Sequence, residues 1–130
     1  MRRLLGVVLA IAAAVPAAHA ADLAHLRAQA GQYTDVLLAD PALDAELRQV
    51  LGEGYAAFRD VMEVVTPSEL IDGRFLVAGG CKAHECGDKR GLLVIDLDTG
   101  EVTALLRAQY GFAQTWGTGA QSYIAQWWQQ

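Results

Sequence analysis

The chain has 130 residues, 53% of them hydrophobic, with 15 acidic against 10 basic side chains and a formal net charge of −5. That length holds one small domain, and the acidic balance lacks the basic footprint that nucleic acid or an anionic membrane surface selects. It suits a cationic partner, because opposite charge speeds encounter, although acidity also serves solubility alone.

The first twenty residues read as a segment removed before folding. Arg2 and Arg3 form a basic start, Leu4 to Val15 an apolar run, and Ala18-His19-Ala20 a small-residue cleavage site, the order of a secretory signal peptide. The apolar run falls short of the roughly 20 residues that span a bilayer, so a membrane anchor is the weaker reading. Cleavage after Ala20 leaves residues 21–130 as a single domain of about −7, because both arginines leave with the leader and no acidic residue does. The mature chain then belongs in the periplasm, an oxidising compartment in which its two cysteines, Cys81 and Cys86, are available for a disulfide.

The N-terminal part reads as helical. Asp22 caps a short helix with Leu23, Leu26 and Ala30 on one face, ended by Gly31. Asp40-Pro41 is a stronger start signal, an N-cap carboxylate followed by proline at the first helical position. Leu43, Leu47, Val50 and Leu51 then recur at helical spacing until Gly52. A third helix, from Tyr55 to Met62, presents Tyr55, Phe58 and Met62.

Around residue 62 the period changes. Val64-Val65 and Leu70-Ile71 are β-prone, and Pro67 between them predicts an edge strand or a bulge. Asp72-Gly73 is a hairpin turn signal, followed by a strand at Phe75-Leu76-Val77. Leu92 to Ile95 is apolar throughout, as a central strand requires, and Asp98-Thr99-Gly100 turns it into a further strand from Glu101 to Leu106. Beyond Ala108 the glycines at 111, 117 and 119 break the pattern; a last helix from Ala120 is expected to set Ile124, Trp127 and Trp128 on the sheet. The fold class is α+β: an antiparallel meander flanked by helices, with a protruding, cysteine-closed loop between two strands.

That loop is Cys81-Lys82-Ala83-His84-Glu85-Cys86. Four readings of it compete. A redox dithiol uses two intervening residues at a helix start, whereas four intervene here between strands. A metal site from Cys81, His84 and Cys86 is crowded and lacks a clear fourth ligand other than His25. A structural staple and an outward-facing recognition loop remain. Nothing reads as a catalytic centre: Ser68 and Ser122 carry no nucleophile motif, and His25 lies on a helix surface.

These six residues resemble the C-K-P-H-D-C loop of the Ivy-type periplasmic inhibitors of vertebrate (C-type) lysozyme. The likeness extends through Gly87-Asp88-Lys89-Arg90 and the strand at Leu92 to Ile95, about residues 62 to 107 in all. The resemblance implies a non-enzymatic inhibitor, without metal or cofactor, whose loop plugs the lysozyme cleft. His84 would meet the catalytic carboxylates, Lys82 and Glu85 would make flanking contacts, and Cys81 and Cys86 would hold the shape. Ala83 stands where that pattern has proline, and Glu85 where it has aspartate. Losing the proline raises the ordering cost by about 0.4–1 kcal/mol, so Ala83→Pro is expected to tighten binding wherever the backbone suits it. The alternative function is a periplasmic peptidoglycan- or protein-binding module that stacks sugar on Trp116, Trp127 or Trp128, with the loop as a staple; an exposed tryptophan pair would also permit a homodimer.

The leader generates the first testable outcome. Intact-mass measurement of exported protein is expected to give a chain beginning at Ala21, and material retaining Met1 would contradict the processing.

Overall fold

A computed structural model describes residues 22–108 and 112–117. Helices come first and a sheet follows, as the change of period predicts. The opening turn is a 3-10 helix, Ala24–Gln29, where an α-helix was expected. The Asp22 carboxylate accepts from the Ala24 N–H, Leu23 and Leu26 are buried, and Gly31 ends the turn at φ 88°. Helix α1, Thr34–Leu38, has no periodic signal and no side-chain cap. It forms because Leu37 and Leu38 are buried and Thr34 is tied to the sheet.

Helix α2, Pro41–Leu51, begins as read: Asp40 Oδ1 accepts from the Leu43 N–H at 3.0 Å, Pro41 opens the first turn, and Leu43, Leu47 and Leu51 are buried. Helix α3, Tyr55–Asp60, buries Phe58 and stops two residues before Met62.

The sheet has six antiparallel strands: β1 Val64–Val65, β2 Glu69–Ile71, β3 Phe75–Cys81, β4 Arg90–Asp96, β5 Val102–Ala108 and β6 Phe112–Trp116. Its order is β1-β3-β4-β5-β6, with β2 sharing the outer edge of β3 with β1. Asp72 and Gly73, at φ 54° and 63°, are the central residues of the turn between β2 and β3, a three-residue connection in which the Arg74 N–H donates to Ile71 O at 3.1 Å. β4 is central and buried on both faces. Leu93 and Ile95 join the leucines of the helices in the main core, whereas Leu92 and Val94 form a smaller cluster with Leu105 on the opposite face.

Strand β6 was not expected. Its residues read as a broken tail, and pairing with β5, from Ala104↔Trp116 to Ala108↔Phe112, makes them a strand. Trp116 packs against the main core and covers the bare Cα of Gly54. The helix expected from Ala120, with Ile124, Trp127 and Trp128, lies outside the described residues.

Pro67 marks both an edge and a bulge. The register runs from Val65↔Gly80 to Glu69↔Val77, one residue longer on the outer strand. Residues 31–34 take up the polar groups this frees: Thr34 N–H donates to Thr66 O, Ser68 N–H to Gln32 O, and Gly31 N–H to Ser68 O. Thr34 Oγ, fully buried, lies 2.9 Å from both Thr66 O and Gly79 O and accepts from the Gly79 N–H at 3.1 Å. One hydroxyl thus ties α1 to β3 just before the cysteine loop.

Asp96 closes the far end of the β4–β5 hairpin. Its carboxylate takes two bonds from Arg74, at 2.9 and 2.7 Å, and accepts from the Asp98 N–H. The Arg74 guanidinium, aided by those backbone donors, lowers the Asp96 pKa to about 2. A depressed carboxylate stabilises the fold fully above its unfolded value and loses that contribution as pH falls through the folded one. Asp96→Asn is therefore expected to destabilise the protein by about 1–2 kcal/mol at pH 7. Chemical denaturation should show the gap closing between about pH 4 and pH 2; a gap constant over that window would contradict the assignment.

Candidate functional site

The cysteine loop stands at the end of the β3–β4 hairpin, where Cys81 and Arg90 are the last register pair. One step inward the pair is Gly80↔Gly91. A Cβ on Gly91 would lie 2.6 Å from Met62 Cε and 3.2 Å from Phe58, and one on Gly80 would lie 2.9 Å from Met62 Sδ. Two bare positions therefore let the end of α3 and the residues after it lie close on the sheet. That approach brings Asp60 and Glu63 beside the loop.

Cys81 and Cys86 are joined in a disulfide, with Cα atoms 4.9 Å apart. Both thiols are committed to that bond, and no group of three His, Cys, Asp or Glu suited to a metal occurs among the described residues. Within the ring the Glu85 N–H donates to Lys82 O at 3.0 Å, closing a four-residue turn with His84 at φ 67° in its third position. Positive φ there is the mark of a type II turn; histidine enters that region more often than most residues, but glycine is the usual occupant. A second turn follows, with Asp88 and Lys89 N–H donating to Glu85 O, and Lys82 N–H donates back to Lys89 O at 2.9 Å.

The side chains divide sharply. Lys82 was expected to face outward. It lies instead against its own chain, 24% exposed, with Nζ 2.5 Å from Glu63 Oε1 and 3.1 Å from Asp60 Oδ1. Glu85 pairs with Lys89 at 3.0 Å. Ala83 donates its N–H to Glu63 Oε2 at 3.1 Å. The Lys82 ammonium, and then the Ala83 N–H, hold the Glu63 carboxyl below its ordinary pKa; Glu63 and Asp60 in turn raise that of Lys82. His84 is exposed and has no hydrogen bond or ion pair to any described residue. Of the four residues inside the ring, the imidazole is the one polar side chain left for a partner.

Beside the disulfide an open groove of about 340 Å³ runs along β1–β2 and β3, floored by Val77 and Leu92 and flanked by Val64, Pro67 and Glu69. Of the loop, Cys81 and Cys86 line it. His25 is elsewhere, half-exposed and 2.7 Å from the capping carboxylate of Asp40.

The model of the family described as inhibitor of vertebrate lysozyme (Ivy) matches residues 42–129. The chain belongs to the Ivy family. No curated protein and no solved structure matches it. The family match runs from α2 across the loop and the whole sheet, and so includes every residue of the site just described; the 3-10 helix and α1 precede it. Ivy proteins are, by their description, inhibitors of vertebrate lysozyme.

Sequence reasoning found the ring but missed Glu63, Asp60 and the Gly80–Gly91 platform. Ala83 held the one available hint, because a residue with an N–H replaces one without, yet nothing in the pattern names an acceptor 20 positions upstream. The same bond bears on the Ala83→Pro substitution: proline suits the second position of a type II turn, but it would remove the N–H donor that Glu63 engages.

A Cys81→Ser/Cys86→Ser variant is expected to keep its far-ultraviolet circular dichroism and to lose about 2 kcal/mol, the chain-entropy value for so short a ring. Loss of the folded spectrum would show instead that the disulfide supports the sheet.

Proposed function

We propose that this Ivy-family chain is exported, processed to residues 21–130 and active in the periplasm, where it inhibits C-type lysozyme by inserting the Cys81–Cys86 loop into the catalytic cleft. One observation carries the reading: His84 stands exposed on a disulfide-closed turn, without a partner among the described residues, while its neighbours Lys82 and Glu85 are held in ion pairs.

The chemistry of the target fits that arrangement. Lysozyme works with one protonated and one ionised carboxyl on either side of the scissile bond. A neutral imidazole donates to the ionised one and accepts from the protonated one; a charged imidazole donates to both. A fixed turn carries the ring into the cleft at low entropic cost, since its backbone is ordered before binding. The acid-rich surface around it favours encounter with a basic enzyme. Lys82 serves chiefly to hold the turn, because reaching the enzyme would require it to leave two carboxylates.

The peptidoglycan-binding alternative draws less support from the described residues: Trp116 is half-buried against the core, and Trp127 and Trp128 lie outside them.

His84→Ala is expected to weaken inhibition of bacterial-cell lysis by roughly 10- to 150-fold, the range for losing a hydrogen bond to a charged group, with the thermal melt unchanged. A folded His84→Ala that inhibits as well as the wild type would refute insertion through this residue.

A further inference from the structure

We infer that Glu63 is a positioning residue for inhibition: it holds the Lys82–Glu85 turn in the shape that lysozyme receives, an inference that rests on the insertion reading above. Glu63 lies outside the ring, between α3 and β1, yet its two oxygens hold consecutive residues inside it. Oε1 meets Lys82 Nζ at 2.5 Å and Oε2 accepts from the Ala83 N–H at 3.1 Å. Those are the two residues immediately before His84.

The disulfide alone does not do this. It fixes the ends of the segment, whereas the orientation of the imidazole depends on the turn between them, which has a non-glycine residue at φ 67°. Such a conformation persists when its surroundings over-determine it, and Glu63 supplies that determination on the side that leads into His84. Its own position is set by the Gly80–Gly91 platform, on which Met62, the residue before it, is packed. Asp60 assists less, because among the described residues it pairs with Lys82 alone and is 65% exposed.

Ala83 fits the same logic. In the C-K-P-H-D-C pattern a proline stiffens this position; here an alanine offers an N–H and a carboxylate from outside the ring takes it. One rigid element is exchanged for another, and Glu63 and Ala83 act as a unit.

The test compares Glu63→Ala, Glu63→Gln, Ala83→Pro and the Glu63→Ala/Ala83→Pro double variant for binding to a C-type lysozyme. NMR of each free variant follows the amide proton of residue 83 where one exists. Glu63→Ala is expected to speed exchange of the Ala83 amide and to weaken binding about 5- to 10-fold. Glu63→Gln, which keeps an acceptor for that amide, should recover most of both. In the Ala83→Pro background the Glu63→Ala effect should shrink below about 2-fold, the non-additivity of coupled residues. An Ala83 amide unaltered in Glu63→Ala overturns the brace. A released amide with binding as tight as wild type, while His84→Ala binds weakly, overturns its role in inhibition alone. His84→Ala binding like wild type overturns the insertion reading and, with it, this inference.

Discussion

The loop depends on how closely α3 can lie against the β3–β4 hairpin. Side chains at Gly80 and Gly91 would drive Met62 and Phe58 away from the sheet, and Glu63 would move with them. The site is thus prepared one register pair inside the strands, where no polar chemistry is visible. Small residues at the end of the hairpin make room for an apolar pair, the apolar pair sets the chain that follows, and that chain delivers a carboxylate to the turn.

Two constraints of different kind then act on the same four residues. The disulfide limits the unfolded chain modestly, as a short ring must, and brings the ends of the segment together. The Glu63 contacts act on the folded state, pairing charge with charge and a carboxylate with a backbone N–H, the stronger class of hydrogen bond. What remains free is chosen by subtraction. Lys82 and Glu85 have carboxylate and ammonium partners within the chain, and His84 has none among the described residues. Preorganised presentation of one group is how a small protein concentrates affinity in a few contacts.

Most of the fold was legible because its signals are local. Asp40-Pro41 caps α2, Asp72-Gly73 turns β2 into β3, the unbroken run Leu92 to Ile95 is the buried centre of the sheet, and Pro67 sits in an edge bulge. What escaped is what tertiary pairing creates. Helix α1 is five residues long and uncapped, and its place is set by the Thr34 hydroxyl bonding residues more than 30 positions away. Strand β6, with polar Gln114 and Thr115 bounded by glycines, becomes a strand by pairing with β5. The ring and its histidine were legible from spacing and resemblance. The direction of Lys82 was not, because a side chain in a short ring points to its nearest counter-charge, and Asp60 and Glu63 are distant in sequence.

The central claim is that this chain and a saccharide compete for one place on lysozyme. The most direct measurement titrates the protein into a C-type lysozyme at increasing concentrations of a chitin oligosaccharide that occupies the catalytic cleft. The account predicts mutual exclusion, with the apparent dissociation constant rising linearly with saccharide and no ternary complex at any concentration. A complex containing both, with affinity unchanged by the sugar, would contradict it.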